Sequence, residues 1–191
     1  MTSFVHLKLH TEYSLIDGLL RIKPAMARVA ELAMPAVAIT DHHNFFGLLK
    51  AYKAAAAEGI KLIVGADLHV IDPNDQERHH ELCLLAQNER GYQNLMLLLS
   101  EAYQQGQFLG RPRVQLDWVQ AHSDGLIALS GGRQGDVGQA LLHGREDDAR
   151  SALQRWLQWF PNRYYLELQR TGRSDEEAVS YTHLRAHETR I

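Results

Sequence analysis

Signals for β-strands and α-helices alternate along this sequence, and that alternation constrains the fold more than any other feature. The apolar run PAVAIT (35–40) predicts a strand, and the alanine-rich segment FFGLLKAYKAAAAEG (45–59) predicts the helix after it. The other predicted strands are residues 4–10, 60–71, 81–86, 125–130 and 164–170, and the other predicted helices are residues 23–33, 91–103, 116–122 and 147–160. Repeated units of this kind predict an α/β fold with largely parallel strands, either a barrel or an open sheet.

Polar side chains with ligand or catalytic chemistry stand where the predicted strands end. His10 closes the first strand, Thr40-Asp41-His42-His43 follows the second, and Asp67 lies late in the third. The turn Ser130-Gly131-Gly132 comes after a later strand. Because active sites in α/β folds collect at the carboxyl ends of the strands, we expect these residues to form one site.

Two further stretches predict loops. The polar segment PNDQERH (73–79) predicts a loop between two strands. The glycine-rich segment SGGRQGDVG (130–138) could cradle a phosphate at a helix N-terminus. It lacks the lysine and the serine or threonine of a P-loop, so a tight turn is the favoured interpretation.

Composition limits the partners and the compartment. The 20 Lys and Arg against 23 Asp and Glu give a net charge of −3, and no basic stripe is present, so we expect DNA contact only through a partner or a longer parent chain. The lone Cys83 excludes a disulfide within the chain and favours the reducing cytoplasm. No apolar run is long enough for a membrane span, and the N-terminus lacks the pattern of a signal peptide.

Several blocks of the sequence occur in the order and spacing of one known domain. They are FVHLKLHTEYSLIDGL, AITDHHNFFGL, IVGADLHV, LLAQNERGYQNL, GLIALSGGRQGDVG and YYLELQRTGRSDEE. The chain resembles the N-terminal PHP (polymerase and histidinol phosphatase) domain of bacterial DNA polymerase III alpha subunits. The resemblance implies a distorted parallel β/α barrel, incomplete at its C-terminus, over residues 1–178. Residues 179–191 (VSYTHLRAHETRI) do not resemble the domain and are similar to translated sequencing-adapter DNA.

The resemblance also implies positions for a cluster of divalent metal ions at the barrel mouth. These ancestral positions hold Lys8, His10, Asp41, His42, Asp67, Glu81 and Gly132. The residues among them with ligand atoms for zinc or manganese are His10, Asp41, His42, Asp67 and Glu81. Lys8 repels a metal ion and Gly132 has no ligand atom, so the resemblance indicates a degenerate site.

Simpler interpretations stand beside the metal site. Asp41 could bind backbone amides in a strand-to-helix turn, and His10 could be a buried histidine that bonds to Asp41. Lys8 could replace the charge of the metal ion by pairing with Asp41 or with Asp67.

Two functions follow, and the sequence favours the first. The first is a structural module that braces the rest of the alpha subunit and docks partners such as the proofreading exonuclease subunit. The second is a metal-dependent phosphoesterase or 3′–5′ exonuclease with a reduced metal site. The resemblance implies that the parent protein is a magnesium-dependent DNA-directed DNA polymerase, whose polymerase active site is not in this sequence.

Overall fold

The structure is a computed structural model that describes residues 4–15, 18–72, 75–168 and 172, except for the side chain of residue 76. The predicted domain end at residue 178 and the predicted tail 179–191 lie outside the described residues. So does the end of the strand predicted over residues 164–170.

The helices of the described part follow the predicted apolar periodicity, with one addition. They are α1 (Ile22–Glu31), α2 (Leu48–Ala57), α3 (Glu89–Gln104), α4 (Leu116–Ala121), α5 (Asp136–Leu142) and α6 (Glu146–Trp159). Short 3₁₀ turns cover Glu12–Ser14 and Gly132–Gln134. Helix α5 is the addition, because the sequence there predicted a tight turn without a helix after it.

The strands form a curled, mixed sheet that makes a half-barrel, which confirms the α/β barrel class. They are β1 (Ala36–Ile39), β2 (Lys61–Asp72), β3 (Asp75–Ala86), β4 (Gln107–Phe108), β5 (Arg111–Pro112), β6 (Leu126–Leu129) and β7 (Tyr164–Tyr165). The main sheet has the order β1-β2-β3-β6-β7, and β4 and β5 form a separate hairpin. Strand β1 is parallel to β2 and β6 is parallel to β7, but β3 is antiparallel to both of its neighbours.

The direction of β3 follows from its connection to β2. The predicted loop 73–79 is wrong over residues 75–79, because these residues are already in β3 and Ile71 pairs with His79. A connection this short cannot hold a crossover helix, so the chain returns antiparallel as a hairpin.

The N-terminal segment is extended but is not a continuous strand, although a strand was predicted over residues 4–10. It meets β1 through a parallel bridge between His6 and Val37. The N–H of Ala38 donates to the carbonyl of His6 at 2.8 Å, and the N–H of Thr40 donates to that of Leu9 at 3.0 Å. These bonds place His10 beside the carboxyl end of β1.

Alternation along β2 and β3 decides which side chains face the concave side of the half-barrel. Leu82 and Leu84 pack outward with the helices, whereas Cys83 and Leu85 belong to the inner apolar cluster. Since side chains alternate between the faces of a strand, Glu81 lies on the inner face as well. In β2 the same rule places Asp67, whose register partner is Cys83, on that face.

The glycine-rich loop after β6 needs its glycines for close packing. Gly131 has φ +71°, and a Cβ there would lie 2.3 Å from the carbonyl oxygen of Glu81. Helix α5 follows, and the Asp136 carboxylate on it accepts a hydrogen bond from the Trp156 indole at 2.9 Å. Trp156 is 2% exposed and belongs to the core.

The concave side is open between the N-terminal segment and the chain after β7. A cavity of about 620 Å³ lies there, and Phe4, Leu85, Leu129 and Tyr165 are among its lining residues. Among the helices that the structure describes, none combines the length and the apolar character needed to cross a bilayer.

Candidate functional site

The centre of the candidate site is Asp67 on the inner face of β2. Its side chain is 1% exposed, and its Oδ2 lies 2.5 Å from Nε2 of His10. The expected bond from His10 to Asp41 is therefore wrong, and His10 bonds to Asp67 instead. Burial alone would raise the pKa of Asp67, but the His10 hydrogen bond and the Lys8 charge outweigh burial and lower it.

Lys8 places its ammonium among three carboxylates. Its Nζ lies 3.2 Å from Asp67 Oδ2, 3.6 Å from Glu81 Oε2 and 3.8 Å from Glu167 Oε1. Burial acts to lower the pKa of Lys8, but the nearby carboxylates raise it and the net shift is upward. Lys8 is therefore charged at neutral pH, and of its two predicted partners it pairs with Asp67.

His42 completes a group with His10 and Asp67. Each of the three offers one ligand atom, and these atoms all lie within 4.8 Å of one another. The rings of His10 and His42 are 4.3 Å apart, and a parallel bridge joins His42 to Asp67. Two imidazoles and a carboxylate could hold a transition-metal ion at this position.

Asp41 has a different role from the other residues at predicted ligand positions. One oxygen accepts from the N–H of Thr11 at 2.6 Å and from the hydroxyl of Ser14 at 2.7 Å, and the other accepts from the hydroxyl of Thr11 at 2.7 Å. Its side chain is buried at 2% exposure. Asp41 thus ties down the turn after His10, as in the alternative interpretation of Asp41 as a turn residue.

Glu81 on β3 lies near the same centre, with its Oε2 3.6 Å from the Lys8 Nζ, and Gly132 lies in the 3₁₀ turn after β6. Burial raises the pKa of Glu81, and the Lys8 charge opposes that rise only partly. Gly132 has φ +57°, in the left-handed region that favours glycine. A cysteine at this position would strain the backbone as well as add a thiolate.

Several residues around the centre were not predicted from the sequence. Glu167 lies two residues beyond Tyr165, and both line the cavity on the concave side. Period-two alternation from β7 would have placed Glu167 there. His69 and His79 were not predicted at the site either. Their rings extend a row that begins at the predicted His43, with centroids 4.4 Å apart from His43 to His69 and 4.1 Å apart from His69 to His79.

Two histidines of this row, His43 and His69, are neutral at pH 7. Burial, with His69 and His42 nearby, lowers the pKa of His43 to about 3. Burial, with His79 and His42 nearby, likewise lowers the pKa of His69 to about 3. The Nδ1 atoms of His43 and His69 are buried and meet no hydrogen-bond partner among the described residues.

Mild acid should therefore destabilise the fold. Because the folded pKa values of His43 and His69 lie below the ordinary value of 6.5, the unfolded chain binds more protons as the pH falls from 6.5 toward 3. The stabilisation is complete above pH 6.5 and is lost below it, at about 1.4 kcal/mol per pH unit for each histidine. Urea denaturation between about pH 5 and 6.5 measures this slope, in a range above most carboxylate titrations.

The control for this slope is His43→Asn, since asparagine tolerates the positive φ of residue 43 and does not titrate. The variant should lose about half of the slope that the two histidines produce. An unchanged slope would show that His43 is protonated in the folded chain.

Comparison with known proteins agrees with the half-barrel fold. Residues 6–171 match the PHP domain family. The chain belongs to the PHP domain family. This PHP domain is 47% identical over 175 residues to DNA polymerase III subunit alpha of Pseudomonas aeruginosa and 50% identical over 181 residues to that of Escherichia coli K12. The alignments cover 92% and 94% of the chain but 15% of each relative.

A solved structure also shares the fold. It is a protein from Bifidobacterium adolescentis assigned as a metal-dependent phosphoesterase, and it aligns with a TM-score of 0.63 over 99% of this chain and 85% of its own. At 11% identity this likeness shows the fold alone.

The residues present fit the metal cluster of the family only in part. His10, His42 and Asp67 offer converging ligand atoms, but the Lys8 ammonium lies 3.2 Å from the same Asp67 oxygen that His10 contacts. A cation at this oxygen competes directly with a divalent ion.

Proposed function

We propose that this chain is the N-terminal PHP domain of a bacterial DNA polymerase III alpha subunit, and that it works as a structural and docking module. In this proposal Lys8 replaces the charge of the ancestral metal ions. The domain then braces the polymerase and provides a binding surface, without hydrolysing phosphoesters.

The observation that carries this proposal is the position of the Lys8 ammonium. It neutralises Asp67, which is 1% exposed, and it also lies near Glu81 and Glu167. A buried carboxylate needs a partner charge, because burying it alone costs several kcal/mol. Lys8 therefore supplies the stabilisation that a metal ion would otherwise give to the barrel mouth.

The same proposal extends to the longer protein. Its partners are the rest of the alpha subunit and the proofreading exonuclease subunit, and DNA binds only through the parent enzyme. The parent enzyme is a cytoplasmic DNA-directed DNA polymerase that uses magnesium for nucleotidyl transfer. The support is the 41–50% identity to curated alpha subunits, of whose length this chain spans 15%.

A second candidate function rests on the convergence of His10, His42 and Asp67. These three residues could hold one zinc or manganese ion, with Glu81 nearby, in a reduced phosphoesterase site. A metal ion there would supply Lewis-acid chemistry and an activated water. The Lys8 ammonium weighs against this candidate, because it competes for the Asp67 carboxylate.

Metal analysis of the purified chain separates the two functions. After removal of chelator, dialysis against zinc or manganese should leave far less than one ion per chain, because the ammonium opposes binding. The same samples should not hydrolyse bis(p-nitrophenyl) phosphate. One tightly bound ion together with hydrolysis that Asp67→Asn abolishes would establish the phosphoesterase function instead.

A further inference from the structure

A group of large apolar side chains is exposed around the first turns of α1 and α2. We call it the helix-start patch, and its members are Leu19, Leu20, Phe46, Leu49 and Tyr52. Their exposures are 95%, 44%, 65%, 66% and 62%. Single exposed apolar residues are ordinary, but a group at one place on the surface is typical of an interaction site.

Contacts between the starts of the two helices place these starts side by side. A Cβ on Gly47, just before α2, would lie 3.0 Å from the Cδ1 of Ile22, the first residue of α1. The N–H of Glu12 donates to the carbonyl of Leu20 at 2.9 Å, and the Glu12 carboxylate lies 2.7 Å from the Lys50 ammonium. Leu20 on one side and Leu49 on the other therefore flank the same ion pair.

The patch carries positive charge although the whole chain is acidic. Residues 19–24 and 46–53 contain four basic residues and no acidic one: Arg21, Lys23, Lys50 and Lys53. All four are exposed. Lys50 forms an ion pair with Glu12, and the Arg21 charge also acts on the Glu12 carboxylate. Neither helix start has a side-chain cap, so the positive ends of both helix dipoles add to this charge.

We propose that the helix-start patch docks a partner protein through a segment that alternates apolar and acidic residues. The apolar members of the patch supply the buried contact, and Lys53 beside Leu49 selects acidic residues. This inference rests on the docking role proposed above, but it does not depend on whether the barrel mouth holds a metal ion.

Charge and side-chain type favour a separate partner protein over other occupants. Permanent interfaces are more apolar than reversible ones, and the four basic side chains around this patch fit the polar rim of a reversible interface. Nucleic acid gains most from phosphate contacts, and leucines at the centre of the patch offer none.

The experiment uses the 191-residue chain and two labelled peptides of equal length. One peptide alternates leucine or phenylalanine with glutamate, and the other has lysine in place of each glutamate. Fluorescence anisotropy should show saturable binding of the acidic peptide and none of the lysine peptide. Leu49→Ser and Lys53→Glu should each weaken binding by about tenfold.

Leu97→Ser is the matched control, because Leu97 is 47% exposed on α3, away from the patch. It should leave binding unchanged, and all three variants should keep the circular dichroism of the parent. The proposal would be overturned if neither patch variant weakened binding of the acidic peptide, or if that peptide showed no saturable binding. Tighter binding of a single-stranded oligonucleotide that Leu49→Ser weakens would assign the patch to nucleic acid. A larger loss of thermal stability in Leu49→Ser than in Leu97→Ser would show that the patch packs within the chain.

Discussion

Replacing Lys8 with histidine should raise the affinity of the barrel mouth for zinc or manganese by at least about hundredfold. The ammonium now lies 3.2 Å from Asp67 Oδ2. At about 4 Å and an effective dielectric near 20, two unit charges interact by about 4 kcal/mol, and a divalent ion doubles this repulsion. The substitution removes the repulsion and adds an imidazole to the group formed by His10, His42 and Asp67. Isothermal titration calorimetry measures the change.

The control is Lys8→Met, which removes the charge without adding a ligand. It should bind metal more tightly than the parent but less tightly than Lys8→His. Equal, weak binding by all three proteins would mean that Lys8 does not exclude the ion, and that the geometry of the mouth does.

Adding Gly132→Cys to Lys8→His should raise the metal affinity by less than the ligand chemistry alone suggests. A thiolate is a strong zinc ligand, but the φ of +57° at residue 132 strains any residue with a Cβ. Ligand chemistry alone predicts a plain gain in metal affinity from this second change, and the backbone conformation is the reason to expect a smaller one.

Replacing Asp41 with alanine should lower the free energy of unfolding by about 3–5 kcal/mol. The substitution leaves the N–H and hydroxyl of Thr11 and the hydroxyl of Ser14 without their buried acceptor. Hydrogen bonds to a charged group are the strong ones, and unpaired buried donors add their own cost. Urea denaturation at neutral pH measures the loss.

Asp41→Asn keeps the size and one acceptor oxygen, so it should lose only part of that stability. In the Lys8→His background it should leave metal affinity unchanged, whereas Asp67→Asn should abolish tight binding. A loss of metal affinity in Asp41→Asn, with the fold intact, would restore Asp41 as a ligand.

The sequence by itself determined the elements whose signals are local. The strand predicted over residues 60–71 is β2 (Lys61–Asp72), and the helix predicted over 147–160 is α6 (Glu146–Trp159). Both depend on apolar spacing and residue type within one segment. The start of β3 could not be predicted in this way, because residues 75–79 are polar and are a strand only through pairing with β2. The antiparallel direction of β3 follows from the same hairpin.

The candidate site shows the same division between local and tertiary information. The sequence placed His10, His42 and Asp67 near one another, because residues at carboxyl ends of strands meet at one end of an α/β fold. Only the tertiary structure decided which of them make contact. Asp41 follows its strand just as His42 does, yet its carboxylate turns to Thr11 and Ser14.

Lys8 gives the clearest example of contacts that only the tertiary structure decided. The sequence offered Asp41 and Asp67 as its partners, and the structure added Glu167, which is far away along the chain. The alternation of a strand sets the face on which a side chain lies, but the curl of the sheet sets which strands face each other. That long-range closure brings Lys8, Asp67, Glu81 and Glu167 together, and no local pattern in the sequence encodes it.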